Sequence, residues 1–418
     1  MDVRLGDVLL MKKPHPCGGR EWDVLRIGMD FRLRCRTCGR EMMVPRGKAE
    51  KAIKKIIRET EECPMKEFRS SRIRQLTPYT PGEQPKNRTF IKLNTNENPY
   101  PPSPKAIAAI QAAAGERLRL YPDPEAAELV QALSRQYGLP ENQIFVGNGS
   151  DEVLAFAFQA FFDPGSTIVF PDITYSFYPV YANMFGIGYR TIPLNEDFTV
   201  PTDAFFAGND GVVIANPNAP TGIELGQDGI RAILEHNPHV AVIVDEAYVD
   251  FGGTSALPLI AEYPNLLVVQ TTSKSRALAG LRVGFAFGNP NLIAAMNCVK
   301  NSINSYTLDR LAIAGAAAAV EDRAYFDAQR QKVMDTRARV SHQLTQLGFT
   351  VLPSKSNFIF ASHPSVPAKT LFAHLREEGI LVRYFDLPRI DNFLRISIGA
   401  DHDMEALVSA LEKLTHDE

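Results

Sequence analysis

Seven short apolar runs between residues 143 and 288 set the tightest limit on what this chain folds into. They are QIFVG (143–147), STIVFP (166–171), YRTIPL (189–194), GVVIAN (211–216), VAVIVD (240–245), NLLVVQ (265–270) and RVGFAFG (282–288). Gly, Pro and Asn bound them, and helical stretches lie between many of them. Several are apolar almost throughout, as strands buried on both faces of a largely parallel sheet must be. The pattern starts near Ile91 and predicts a large α/β domain. After about residue 320 a charged helix leads to FTVLP, SNFIFA, ILVRYF and FLRISIG, the signature of a second, smaller α+β unit. The chain has 418 residues, 45% hydrophobic and 22% charged, which allows two or three cores. It contains no run of 18 apolar residues, and its start, MDVRLGDVLLMKKP, lacks the apolar length of a signal peptide. A cytoplasmic protein is expected.

The net charge of −3 is unevenly spread. Basic residues outnumber acidic ones over residues 1–74, and the remainder carries the acidic excess. That asymmetry marks two units. In the basic one, DVLLMKK, WDVLRIGMDFRLRC and EMMVPR read as short strands, and GKAEKAIKKIIRETEE reads as a helix from the spacing of Ala49, Ile53, Ile56 and Ile57. Residues 61–90 hold few apolar residues and several prolines, so they read as a linker or arm. The expected organisation is a small β-rich basic domain over 1–60, the arm over 61–90, a large domain over 91–320 (with 91–120 free to pack on the smaller one) and a small C-terminal domain over 321–418.

Four of the five cysteines, Cys17, Cys35, Cys38 and Cys63, fall in the basic segment. An odd count in a cytoplasmic chain argues for metal or free thiols rather than disulfides. Cys35-x-x-Cys38 followed by Gly39 has the form of a zinc knuckle, with Cys17 and His15 completing the ligand set. Three buried thiols in a small barrel would read the same way. Arg32, Arg34 and Arg36 alternate along one strand; they suit a nucleic-acid backbone or form a solvated face, and the second reading is preferred.

The large domain places reactive side chains where its strands end. Lys274 follows NLLVVQ and the hydroxyls Thr271, Thr272 and Ser273; a lysine there points into the crevice where open α/β sheets bind ligands and can form a Schiff base. Asp245 ends VAVIVD, and a buried aspartate needs a cation. In IFVGNGSDE, glycines and a helix start that opens with Ser150 and Asp151 suit a phosphate. Tyr175 lies after a strand and a turn, where its ring can stack on a flat ligand, and NPNAPTG makes a rigid turn. Each piece has a plain structural reading by itself: a surface lysine, a strand-end aspartate, an N-cap serine, a core tyrosine, a connector.

Taken in chain order (phosphate loop, Tyr175, Asn-Pro turn, Asp245, Ser273-Lys274, Arg282), the pieces resemble the fold-type I aminotransferases that use pyridoxal 5′-phosphate. From about Leu76 to the C-terminus, the segments LTPY, KLNTNENPYPPSPK, LRLYPDPE, GNGSDE, NPNAPTG, VDEAY, TTSKSRALAGLRVGF, GILVR and FLRISIG resemble the histidinol-phosphate aminotransferase family. The resemblance implies that Lys274 binds the cofactor covalently and shuttles a proton. It also implies that Asp245 pairs with the ring nitrogen, Tyr248 meets the ring oxygen and Tyr175 stacks on the ring. Ser150, Asp151, Ser273 and Arg282 would hold the phosphate. Tyr121 would reach the cofactor of a neighbouring subunit, which implies a homodimer. Family members often carry Asn before Pro-Thr-Gly; here that position is Ala219, so Asn218 or Asn216 takes the role or Tyr248 carries it alone. On the substrate side, Arg395 would hold a carboxylate, Arg383 a phosphate or distal carboxylate, and Tyr79 and Asn96 the pocket wall.

The reaction so implied is amino transfer between L-histidinol phosphate and 2-oxoglutarate in histidine biosynthesis. Aromatic amino-acid aminotransferases and threonine-phosphate decarboxylases share many of these motifs. A pyridoxal-phosphate-sensing regulator is the non-enzyme alternative, although known ones carry a helical N-terminal domain. The N-terminal segment resembles a short bacterial family of unknown function (DUF951) that usually stands alone, so the whole reads as a fusion.

Overall fold

A computed structural model of the protein describes residues 3–57, 68, 70–85, 88–206 and 208–416. Cys63, the end of the predicted helix (58–62) and much of the arm's start lie outside these residues. The chain divides into two compact units, Met1–Leu76 and Thr77–Glu418.

The first unit is an antiparallel sheet of β1 (Val8–Met11), β2 (Glu21–Arg26), β3 (Asp30–Cys35), β4 (Glu41–Pro45) and β5 (Ile53–Ile57), in the order β4-β3-β2-β1-β5. Leu9, Trp22, Val24, Phe31 and Leu33 form its core. The predicted helix over Gly47–Glu62 is only half right. A helix spans Arg46–Ala52, and then Ile53–Ile57 turns into β5, pairing Leu9 with Ile56 and Val8 with Ile57. Three β-branched isoleucines in five residues fit a pleated edge strand, and pairing with β1 outweighs the helical spacing. Arg32 pairs with Glu41, and Arg34 and Arg36 with Asp23, all at the surface. The alternating arginines thus form a solvated, charge-paired face.

In the second unit all seven predicted runs are strands of one sheet. They are β7 (Ile144–Gly147), β8 (Thr167–Pro171), β9 (Gly188–Ile192), β10 (Gly211–Ala215), β11 (Val242–Asp245), β12 (Leu266–Thr271) and β13 (Gly284–Gly288), ordered β7-β13-β12-β11-β10-β8-β9. Neighbours run parallel except at β13, which is antiparallel to both β12 and β7. Alternate residues serve opposite faces, as a strand's period of two requires. Val212, Ile214, Val242, Val244, Val268 and Phe285 pack in one cluster with helices Ala127–Tyr137 and Arg310–Glu321. Val213, Ile243, Leu267, Val269 and Ala286 pack in another with helices Gly149–Phe161 and Pro290–Ile303.

The C-terminal segment forms an antiparallel sheet of β14 (Thr350–Val351), β15 (Phe358–Ser362), β17 (Arg383–Tyr384) and β18 (Leu394–Ser397). Between them, β16 (Ile380–Leu381) pairs in parallel with β6 (Ile91–Lys92), so the start of the family-like region is tied to the end of the chain. Phe285 is 1% exposed and lies edge-on to Phe287. Phe285→Ala opens a cavity between sheet and helices and is expected to destabilise this unit by about 3–5 kcal/mol, read as a lower denaturant midpoint.

Candidate active site

Three strand ends meet at one edge of the large sheet. Because β13 runs against both neighbours, its first residue, Gly284, lies opposite Gly147, the last of β7, and Thr271, the last of β12. The loops after β7, β11 and β12 and the loop before β13 therefore open on one crevice. It is lined by Ser150, Asp151, Tyr175, Asp245, Tyr248, Ser273, Lys274 and Arg282, and on its other side by Tyr79, Asn96, Arg383 and Arg395. The sequence separates Lys274 from Arg282 by eight residues; the antiparallel return of β13 brings them to the same place.

Two glycines make this approach feasible. A Cβ on Gly284 would overlap the backbone of Gly149 and the amide of Ser150, and one on Gly149 (φ +82°) would overlap the Arg282 guanidinium. The strand thus presses against the start of helix Gly149–Phe161, whose first N–H groups have no intrahelical acceptor. Asp151 accepts from Arg282 Nη2 (2.8 Å) and from Tyr175 OH (2.8 Å), fixing the guanidinium and the ring together. Burial and the Asp151 charge push the Tyr175 phenol well above its usual pKa, so it stays protonated. Ser273 is set by Thr271, whose hydroxyl donates to Ser273 Oγ at 2.9 Å.

Asp245 is 5% exposed at the tip of β11, between β10 and β12. Burial raises its pKa to about 6, although Tyr178 OH (3.0 Å) and the Ala247 amide (3.2 Å) both donate to it. Among the described residues no cation neutralises it. Behind it, Glu246 is also buried and raised to about 7; it accepts from Ser255 Oγ, the Ala256 amide and Gln270 Nε2, which ties β11 to β12.

Lys274 Nζ lies 3.3 Å from the Thr95 carbonyl and 5.9 Å from the centroid of the Tyr248 ring. Tyr248 OH accepts from Asn96 Nδ2 at 3.0 Å. Asn96 sits at φ +55°, a region Asn tolerates better than most residues. Its amide donates to Ser397 Oγ, its Oδ1 accepts from that hydroxyl, and its carbonyl accepts from Asn357 Nδ2.

Arg383 and Arg395 are register partners across β17 and β18, and both guanidiniums lie near the Phe385 ring, at 5.5 and 5.6 Å. Arg395 Nη2 donates to the Asn94 carbonyl, while its Nε is buried without a partner. Burial pulls the Arg395 pKa down, and Arg383 adds to the effect. Like charges placed opposite each other destabilise a sheet unless an anion joins them.

One expected residue is not brought into the cleft. Asn218 is committed to its own turn: Nδ2 donates to Ile173 O and Thr221 Oγ1, and Oδ1 accepts from Thr174. Ala219 and Pro220 face the cleft in its stead. Tyr121 is 78% exposed, stacked on Tyr306 at 4.6 Å. Sequence reasoning missed that Tyr178, a core residue, also reaches Asp245 with its hydroxyl; nothing in PDITYSFYPVY distinguishes this tyrosine from its neighbours. It also missed Phe385 between the two arginines. In the first unit, His15, Cys17, Cys35 and Cys38 bring their ligand atoms within 4.8 Å of one another.

Residues 88–414 match the family of class I and II aminotransferases, and residues 3–57 match a family of bacterial proteins of unknown function, DUF951. The chain belongs to the class I and II aminotransferase family. Within that class it is 55% identical over 349 residues to the histidinol-phosphate aminotransferase of Clostridium acetobutylicum, spanning 84% of this chain and 99% of that protein. It is 51% identical over 347 residues to the enzyme of the same name from Clostridium beijerinckii, spanning 83% of this chain and 97% of that one. Among solved structures it resembles the histidinol-phosphate aminotransferase of Sinorhizobium meliloti in complex with pyridoxal-5′-phosphate, with a TM-score of 0.73 and 26% identity, over 79% of this chain and 92% of that one.

The cleft fits such a cofactor on its own chemistry. Asp245 is a buried carboxylate that lacks a counter-cation, and the glycine-edged helix start with Arg282 offers donors to a dianion. Asp245 titrates near pH 6 when folded, above the ordinary 3.8, so the cofactor-free protein loses stability from this group as pH rises through that window. Asp245→Asn removes the cost. In cofactor-free protein the variant is expected to melt higher than the parent at pH 8, by the equivalent of at most ~3 kcal/mol, with the gap closing below pH 4. Thermal melts at the two pH values check this.

Proposed function

We propose that this chain transfers the amino group of L-histidinol phosphate to 2-oxoglutarate, giving imidazole-acetol phosphate and L-glutamate, in two half-reactions on one pyridoxal 5′-phosphate. This places it in histidine biosynthesis. The observation that carries the reading is the facing pair Arg383 and Arg395 in the same cleft as Lys274. Two guanidiniums suit substrates with an anion at the end remote from the reacting amine: a phosphate in one, a second carboxylate in the other. The names of the relatives that share more than half of their aligned residues with this chain support the same choice.

Bound pyridoxal phosphate would supply a carbonyl that takes up the amino nitrogen and a cationic ring that receives the electron pair left at the substrate Cα. The remaining work falls to the chain. Lys274 Nζ would hold the cofactor at its carbonyl carbon and would carry the proton to and from the substrate Cα. Asp245, ionised, holds the proton on the ring nitrogen. Tyr248, positioned by Asn96, offers its hydroxyl to the ring oxygen, while Asn218 is turned away from that task. Ser150, Ser273 and Arg282 bind the phosphate, and Asp151 keeps Arg282 in place. Tyr175 covers the ring, while Tyr79, stacked on Phe177 at 4.4 Å, walls the substrate side. In this reading residues 91–320 carry the cofactor and 321–418 the substrate arginines.

The exposed Tyr121–Tyr306 pair supports a homodimer in which Tyr121 reaches the neighbouring copy's phosphate. No helix among the described residues is long and apolar enough to cross a membrane, in keeping with a cytoplasmic enzyme.

Steady-state assays with L-histidinol phosphate, phenylalanine and tyrosine as donors test the reading; the phosphorylated donor is expected to give the highest kcat/KM. Carbon dioxide release from phosphothreonine without an oxo acid would favour a decarboxylase. Lys274→Ala is expected to abolish turnover and the cofactor's spectral change with glutamate. Arg383→Gln is expected to raise KM for histidinol phosphate and glutamate together by ~10–100-fold, the loss of one charge-assisted contact.

A further inference from the structure

We propose that His15 Nδ1 and the sulfurs of Cys17, Cys35 and Cys38 bind one structural Zn2+ ion that locks the open end of the N-terminal sheet. Two hairpin connections meet at that end. His15 to Gly19 lies between β1 and β2, and Cys35 to Gly39 begins the link from β3 to β4; β2 and β3 pair Trp22 with Cys35, so both links emerge side by side. Each is a tight turn. Gly18 N donates to His15 O and His15 N to Gly19 O in the first, and Gly39 N donates to Cys35 O in the second. Gly18 and Gly39 have φ of +88° and +72°. A Cβ on Gly19 would overlap the Thr37 side chain and lie 3.2 Å from Cys35 Sγ, so glycine is what lets the two turns close on each other.

Each turn delivers two ligand atoms. Cys17 Sγ is 3.6 Å from Cys35 Sγ, His15 Nδ1 is 3.6 Å from Cys38 Sγ and 3.0 Å from Cys17 Sγ, and all four lie within 4.8 Å of one another. Sulfurs bound to one tetrahedral zinc at ~2.3 Å stand about 3.8 Å apart, so the cluster is already near the size of the ion's shell. The sulfurs are free thiols, with Cys17 and Cys35 well beyond the ~2.05 Å of a disulfide. The backbone amides of Thr37 and Cys38 face Cys35 Sγ and that of Gly19 faces Cys17 Sγ, the donors that thiolate ligands use. Trp22 meets the His15 ring edge-on at 5.0 Å and orients it. Three soft sulfurs and one imidazole in a closed tetrahedron select Zn2+ over the oxygen-seeking cations. Binding releases the thiol protons and leaves three thiolates and a neutral imidazole on the ion.

The experiment uses the full chain with its cofactor. Metal analysis of protein purified without chelator is expected to give one zinc per chain. Replacement by Co2+ is expected to give the intense ligand-field bands of a tetrahedral site and a thiolate charge-transfer band. Cys38→Ser, at an exposed position, is expected to weaken metal binding ~100-fold or more, whereas Cys298→Ser leaves it unchanged. Since a lost ligand can also unfold the unit, His15→Cys is the second variant: it keeps four ligands and is expected to retain the metal with a stronger thiolate band. Amino transfer is expected to be the same in all of these, so its failure speaks to the other unit only. No metal in the parent together with no cobalt–thiolate band overturns the proposal, as does a Cys17–Cys35 disulfide in the purified chain or full metal retention by Cys38→Ser.

Discussion

A carboxylate buried at the tip of a central strand is stable in its ionised form only beside a cation, and the main cleft follows from that requirement. β11 is flanked by parallel β10 and β12, so Asp245 has little water around it. Tyr178 and the Ala247 amide orient the group but carry no full charge, and its pKa climbs to about 6. A protonated heterocycle would supply the missing charge. Ligand and fold are then linked: a molecule that relieves the buried charge also stabilises the folded state by mass action.

The rest of the cleft is an excess of cations in a chain whose net charge is −3. Arg282 has Asp151 as a standing partner, which keeps it extended toward the helix start. Arg383 and Arg395 differ: among the described residues neither is paired with a carboxylate, and they face each other across a sheet. The first arrangement suits a permanent guest and the second an exchanging one. A guanidinium with its own carboxylate stays placed when an anion leaves, whereas two facing unpaired guanidiniums favour whichever anion arrives.

The fold was legible because the parallel layer is buried on both faces, so its strands had to be nearly all apolar, and all seven runs join one sheet. Most of the candidate site was legible for a related reason. Strand ends at one edge of such a sheet must converge, so Asp245, Lys274 and the Ser150 turn could be placed together from sequence alone. What failed depends on tertiary choice. Asn218 looked available, but the turn consumes every polar atom of its side chain. Tyr178 is core, and only tertiary packing brings its hydroxyl to Asp245.

The misjudged segment Ile53–Ile57 shows how differently the two units are held. In the large sheet, burial on both faces dictates the strands. In the first unit the same residues satisfy a helical pattern, and only pairing with β1 decides against it. A sheet with so few buried side chains has little hydrophobic free energy to spare for choosing among alternatives. A metal between its two turns would add a constraint that burial cannot provide at this size, and it would act at the end of its hairpins. On this argument the alternating arginines matter little to specificity: they are neutralised across the surface, and the residues that define this unit are those at its cysteine turns.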